Sequence, residues 1–467
     1  MKQFLKKFIG DKKFYKMVLL IAVPIMIQNG ITNFVSLLDN IMVGQVGTNQ
    51  MSGVAIANQL IFVYNLCIFG GMSGPGIFGA QFYGQRNEEG LRYVFRFKLI
   101  LGVAITALFL LIFGCFGEQL VSLYLDESNT PLDNAETLKY AMQYLRIMMV
   151  GLVPFVGVQM YASTLRETSE AILPMKAGIV AVLVNLTLNY CLILGHFGFP
   201  ALGVEGAAIA TVVARFVELL IVVLWTHEHK KTHHYIVGVY RSLHIPKELA
   251  VKIIKKGTPL LMNEALWALG MAMLLQCYSV RGLDVVAGMN ISNTIINLFN
   301  ITFMALGSSV AIVVGKLLGA GKMEEAVDTD RKLIAFSVAS CVVIAAVAIV
   351  LAPLFPELYN TEDTVKNYAK EFIIIAAAFM PQHAFLHAAY FTLRSGGKTG
   401  ITFLFDSGFI WAVSIPLAFC LSRFTGLAIE PIYVLCQASE IIKSVIGAIL
   451  LKKGVWVNNI VGEKAEA

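Results

Sequence analysis

Charge is scarce in this chain: Asp, Glu, Lys and Arg make up 14% of its 467 residues, while 57% are hydrophobic. Soluble domains carry about 25% charged residues, so a solvated globular surface is excluded over most of the length. Enzyme motifs are missing as well. The sequence holds no HExxH, GxSxG or Walker A pattern, the usual marks of metalloproteases, serine hydrolases and nucleotide hydrolases. Its seven cysteines lie in or beside apolar runs without CxxC spacing, so they read as small core residues rather than disulfides or metal ligands. No cofactor is implied, and the reading is of a protein that is not an enzyme.

What is present is apolar sequence in long stretches. A bilayer core about 30 Å thick needs roughly 20 apolar residues per helix, and about twelve runs of that length follow one another between short polar or Gly/Pro-marked segments. They are too long, and too continuously apolar, for barrel strands of about ten alternating residues. The expected fold is an all-α integral membrane protein with 12 transmembrane helices. The first run, from about Met17, is too long for a signal-peptide core and stays as helix one.

Lys and Arg gather at the N-terminus, at the C-terminal end and in every second loop, whereas LDESNTPLDNAE and PELYNTED on the other side are acidic. By the positive-inside rule both termini are cytoplasmic. The net charge of +6 follows from that asymmetry and calls for the lipid bilayer, not nucleic acid, as a partner. A monomer in the bacterial inner membrane is expected.

The chain repeats itself. An offset of about 235 residues puts Pro24 on Pro259, Gly53 on Gly288, Asn58 on Asn293 and Gly84 on Gly319. Further on, a frame of about 228 sets VPFVGVQMYASTLRE against MPQHAFLHAAYFTLRS, with Pro154 on Pro381. An even number of crossings returns the chain to the same side, so two six-helix lobes are expected, related by a pseudo-two-fold axis along the membrane normal. Residues 1–226 form the N-lobe, 227–257 a basic cytoplasmic linker with an amphipathic second part, and 258–467 the C-lobe. Rocking of such lobes around a central cavity suits transport by alternating access. The linker histidines His227, His229, His233 and His234 read as solvated bystanders rather than a metal site.

Ionisable residues inside a membrane are functional candidates by default. Asp39 lies late in the first run, in SLLDNIMVG, and is either a cation or proton site or an interfacial carboxylate facing the outer water. Asn185 and Asn189 are one turn apart on helix five, so their amides share a face, and Thr211 sits on helix six. Their oxygens beside one carboxylate suit a hard monovalent cation and would equally hydrogen-bond a protonated acid. Glu264 follows the same logic on helix seven, unless neighbouring helix termini tie it up. The repeat sets Leu274 against Asp39 and Asn29 against Glu264, so the halves share a backbone pattern but divide the acids.

His383 and His387 stack on one face of helix ten and are candidates, with Asp406, for a C-lobe substrate or proton site. Packing is the alternative for the histidines, and a helix-dipole role at a helix start for Asp406. Arg215 with Glu218, and Glu440 with Lys443, read as structural pairs. Met26, Tyr64, Met160, Tyr161, Met262, Trp267 and Trp411 are candidates for an adaptable substrate cavity.

PIMIQNG from Pro24, SLLDNIMVGQVG, the QFYGQRNEEG and KLLGAGKMEEA loops, PLLMNEALWALG from Pro259 and LRSGGKT together resemble the multidrug and toxic compound extrusion (MATE) transporters over nearly the whole chain. The resemblance implies an antiporter that expels organic cations in exchange for sodium ions or protons. It carries the family's helix-one Asp onto Asp39, its helix-five polar pair onto Asn185 and Asn189, its helix-six Thr onto Thr211, and the helix-seven Glu of one branch onto Glu264. That branch has a helix-ten Asp where this chain has His383, and some relatives have Asp where Asn189 stands. The alternative within the superfamily is a lipid-linked saccharide flippase. Its pyrophosphate calls for clustered Arg or Lys, and Arg215 is the only mid-span cation read in the N-lobe.

Overall fold

The computed structural model describes residues 7–125, 131–359 and 361–462. Side chains at 35–38, 40, 41 and 131 also lie outside the description, as does part of the acid-rich stretch expected near residue 126. Among the described residues, twelve helices are long and apolar enough to cross a membrane. In chain order they are α1 Lys12–Gly44, α2 Thr48–Gly84, α3 Glu88–Ser122, α4 Pro131–Glu167, α5 Ile172–Leu192 and α6 Val204–Glu228. The others are α7 Lys247–Ser279, α8 Leu283–Gly319, α9 Met323–Leu351, α10 Asp363–Ser395, α11 Thr399–Phe424 and α12 Ile429–Lys452. No strand occurs among the described residues, as expected where lipid cannot satisfy an open backbone. Pro24, Pro75, Pro154, Pro259 and Pro381 all lie inside helices, which membrane helices tolerate because neighbours re-satisfy the freed carbonyls.

The chain separates into two compact units. The N-unit is Ile27–Gly79 with Glu88–Lys252, and the C-unit is Met1–Met26, Ala80–Asn87 and Ile253–Ala467. These limits differ from the sequence-based lobes at three places. The start of α1 joins the C-unit because Val18, Ile21, Ala22 and Ile25 are buried in the same core as Leu306, Val310 and Val314. The end of α2 does so through Gln81, whose fully buried amide donates to the carbonyls of Ser395 (2.9 Å) and Asn458 (3.2 Å) and accepts from the Ile460 amide (2.9 Å).

The linker belongs to the N-unit because arginines of α3 grip it. Arg96 donates to the carbonyls of Val239 (2.9 Å), Gly238 (3.1 Å) and His244 (3.1 Å), and Arg92 to that of Tyr235 (3.2 Å). Two 3-10 turns, His234–Ile236 and Val239–Arg241, result. The amphipathic stretch after them is not a separate surface helix but the first turns of α7.

The repeat is visible in the packing. A Cβ on Gly53 would stand 2.8 Å from the Thr137 carbonyl oxygen and 2.8 Å from the Ala141 amide nitrogen. One on Gly288 would stand 3.3 Å from the Val365 carbonyl oxygen and 3.2 Å from the Ala369 amide nitrogen. Gly53 and Gly288 are repeat mates, and so are the positions they meet on α4 and α10. In each unit a glycine lets two helix backbones approach where any side chain would part them. The N-unit core gathers Tyr64, Phe109, Phe113, Tyr144 and Leu152.

Candidate functional site

In the N-unit, α1, α5 and α6 bring the first candidates together. Asn189 is fully enclosed, and its amide nitrogen donates to Asp39 Oδ1 at 2.5 Å and to Asn185 Oδ1 at 3.1 Å. Asn185 in turn donates to Thr211 Oγ1 at 3.2 Å, and that hydroxyl donates to the Ala207 carbonyl at 3.0 Å. Tyr144 of α4, buried, reaches Thr211 and Asn58 with its hydroxyl. Asp39 is half-buried and faces this row of amides.

One oxygen in the row has no protein partner: Asn189 Oδ1 is buried and accepts no hydrogen bond among the described residues. Buried acceptors are almost always satisfied. A carboxylate, two amide oxygens and a hydroxyl with one spare lone-pair site form a donor set for a hard cation. The same oxygen could accept from a protonated Asp39.

The C-unit gathers the second group. Glu264, half-buried at the middle of α7, lies beside Tyr390 of α10 and Arg394 in the last turn of that helix, and near Asp406 of α11. Asp406 Oδ1 accepts from Lys443 Nζ at 2.9 Å and Oδ2 from Asn263 Nδ2 at 3.1 Å. Asn263 is itself held by Ser407, whose hydroxyl lies 2.7 Å from its Oδ1. His387 neighbours Asp406, Lys443 and His383, and its ring lies 4.6 Å from that of Phe303. His383 meets Gln437 and Glu440.

One local reading is corrected here and another is extended. Asp406 is not at a helix start: it sits in a π-helical turn, Leu404–Gly408, two turns inside α11, where the dipole effect has faded. π-turns insert a residue and re-aim the side chains after them. Lys443 does meet Glu440, but at 3.7 Å, so Asp406 on another helix is its nearer partner. Arg215 and Glu218 pair at 3.3 Å as the spacing suggested.

The aromatic and Met candidates divide. Tyr64 is fully buried, with its hydroxyl donating to the Leu152 carbonyl at 2.9 Å and lying 2.9 Å from Thr106 Oγ1. Met160 and Tyr161 are buried too, and the Tyr161 hydroxyl bonds Tyr240 and, at 3.1 Å, His227. All three are buried inside the N-unit, and the two tyrosine hydroxyls have their partners there. Met26 packs half-buried against the C-unit core. Met262, Trp267 and Trp411 are exposed, and Trp411 Nε1 donates to the Leu266 carbonyl at 2.9 Å.

Sequence reasoning missed a buried ion pair on α3 and α4. Lys98 Nζ lies 2.6 Å from Glu167 Oε1 and 3.0 Å from both Ser163 Oγ and Thr164 Oγ1, with no solvent exposure. At the repeat mate of Thr164, Thr392 donates to the buried Asp330 at 2.5 Å. Lys98 looked like a flank of the preceding basic loop, and only Glu167 facing it four residues past Ser163 could have hinted otherwise.

The MatE family model matches residues 24–191 and 259–420, one match in each half. The chain belongs to the MatE family. "Probable multidrug resistance protein YoeA" of Bacillus subtilis (strain 168) is 26% identical over 423 residues, 89% of this chain and 88% of that one. "Probable multidrug resistance protein NorM" of Thermotoga maritima is 24% identical over 446 residues, 93% of this MATE chain and 92% of its own. The structure titled "Outward-facing conformation of a multidrug resistance MATE family transporter of the MOP superfamily" has a TM-score of 0.83 at 19% identity, covering 96% of this chain and 98% of that one. At that identity the likeness is one of fold. The protein is a multi-pass membrane transporter of this family.

Proposed function

We propose that this MATE protein is a multidrug efflux antiporter that exports organic cations across the cytoplasmic membrane in exchange for protons or sodium ions by alternating access. It works as a monomer with both termini in the cytoplasm. The observation that carries this reading is the row Asp39, Asn189, Asn185 and Thr211, closed by hydrogen bonds but for the buried Asn189 oxygen. A cation bound there, or a proton on Asp39, supplies the missing partner.

Coupling requires that the site bind its ion differently in the two access states, because a ligand with equal affinity for both shifts nothing. Asp39 and Asn189 lie on different helices, so a movement of α1 against α5 would change the ion's donor set. Exchange also answers an energetic demand. Driving one positive charge out against an inside-negative potential costs about 2.3 kcal/mol per 100 mV, which entry of one cation cancels. Glu264 is a second acid available for this work, with Asp406 near it, and His383 and His387 of the same unit are further proton or substrate groups. The exposed Met262, Trp267 and Trp411 offer apolar contact to a substrate.

The test is efflux of ethidium from proteoliposomes under an imposed proton or sodium gradient, for wild type and Asp39→Asn. Gradient-driven efflux lost in the variant supports the reading and identifies the ion. Coupled efflux intact in Asp39→Asn overturns the role of Asp39 and leaves Glu264 as the acid to test.

A further inference from the structure

Arg215 is the cation next to the proposed coupling site. It follows Thr211 by four residues on α6 and therefore shares its face, one helical turn from the hydrogen-bonded row that runs from Thr211 through Asn185 and Asn189 to Asp39. An arginine does not release its proton at any physiological pH. It is thus a permanent internal competitor for the ion that Asp39 would bind.

What holds it elsewhere is Glu218. The guanidinium Nη1 lies 3.3 Å from Glu218 Oε2, and the Arg215 guanidinium carbon stands 5.1 Å from the centre of the Phe155 ring. The two partners differ in freedom: the Glu218 side chain is 6% exposed and that of Arg215 31%. Glu218 also feels a second cation. Arg166 of α4 feels both Glu218 and Glu167, and Glu167 is locked on Lys98. Gly178 of α5 leaves space beside it, since a Cβ there would come 3.7 Å from Glu218 Oε1. The charges alternate from Arg215 through Glu218, Arg166 and Glu167 to Lys98, and Arg215 is the loosely held end.

We propose that Glu218 is a positioning residue that keeps Arg215 off Asp39, so that the coupling carboxylate stays open to the incoming cation. This rests on the coupling role proposed for Asp39. An opposite charge within about 4–6 Å weakens a carboxylate's hold on a proton by roughly ten- to a thousandfold, and the same attraction excludes a sodium ion. If Glu218 loses its charge, the Arg215 guanidinium loses its ion-pair partner and is free to turn along its own face of α6 toward the row that ends on Asp39.

The experiment measures gradient-driven ethidium efflux in proteoliposomes as a function of the driving cation's concentration, for wild type, Asp39→Asn, Glu218→Gln, Arg215→Gln and the Glu218→Gln/Arg215→Gln double variant. The half-saturating cation concentration is expected to rise about tenfold or more in Glu218→Gln and to return to near the wild-type value in the double variant. Removing both partners also restores the stability of a merely structural pair, so half-saturation is compared at matched membrane abundance: a merely structural Glu218 would change the amount of active protein and not its half-saturating cation concentration. Unchanged half-saturation in Glu218→Gln, or a double variant as impaired as the single, overturns the proposal. Efflux still coupled in Asp39→Asn overturns the coupling role instead. Should Glu218→Gln fail to reach the membrane, Glu218→Asp with and without Arg215→Gln gives the same comparison, with rescue supporting the proposal and no rescue overturning it.

Discussion

Lys443 of α12 and Asp406 of α11 meet at 2.9 Å, with the lysine side chain only 7% exposed and the aspartate 20%. Breaking such a pair by removing one partner leaves an uncompensated charge, at a cost of about 3–5 kcal/mol, whereas replacing both can be nearly neutral. Asp406→Asn and Lys443→Met are each expected to lower the midpoint of thermal unfolding in detergent, and the double variant to recover most of the loss. Equal damage in all three would show that the pair is not what holds α11 to α12.

Asn189→Ala removes the amide that links Asp39 to Asn185 without altering charge. A buried hydrogen bond to a charged group contributes about 1.5–3 kcal/mol, so gradient-driven efflux should fall at least about tenfold at limiting driving cation while membrane abundance holds. Measured transport equal to wild type would remove Asn189 from the site.

Gln81 ties the end of α2 to the segment near Ile460 through two hydrogen bonds and to Ser395 at the end of α10 through a third. Gln81→Leu keeps the bulk but strands two buried carbonyls and an amide, each costing about 1–3 kcal/mol when unsatisfied. The C-terminal segment with the buried Trp456 should then become open to limited proteolysis in purified protein. Wild-type protection would count against Gln81 as the tie.

Gly53→Val and Gly288→Val should be about equally harmful, because each meets the same carbonyl and amide of its repeat partner helix. Overpacking of this kind costs typically 1–3 kcal/mol. The readout is yield of folded protein and its thermal midpoint, and a large asymmetry between the two would deny the packing equivalence.

His233 of the linker is buried beside Trp225 and Tyr235. That burial, reinforced by His229 nearby, holds its imidazole below the ordinary 6.5. The sign follows: the undocked linker takes up a proton near 6.5 while the docked one does not, so docking weakens as pH falls through 6.5. Hydrogen-exchange protection across residues 230–241, taken relative to the intrinsic amide rate at each pH, should be lower at pH 5.5 than at 7.5, and His233→Leu should flatten the difference.

Much of the fold was legible in the residues because lipid imposes a crude rule. A run of about 20 apolar residues must be a helix there, whatever its neighbours do. The repeat was legible for a related reason: Gly53, Gly288, Pro154 and Pro381 are backbone requirements, and those recur as letters. The candidate sites were half legible. Asp39, Asn185, Asn189 and Thr211 stood out as polar groups in apolar sequence. The importance of Lys443 did not, since a contact with Asp406 across 37 positions leaves no mark in local spacing, where Glu440 was the visible partner.

By itself, then, the order of residues determined the number of crossings, the repeated half and which acids lie inside the membrane, because each is set by hydrophobicity or backbone geometry along one dimension. Only the tertiary structure decided which polar groups are satisfied and by whom. It buried Tyr64 and Tyr161 against their own unit, set Asp406 in a π-turn against Lys443, drew the end of α2 into the C-unit through Gln81, and left one oxygen of Asn189 without a partner among the described residues. The reason is physical: hydrogen bonds and ion pairs act over about 3 Å, and that distance is set between helices, not along them.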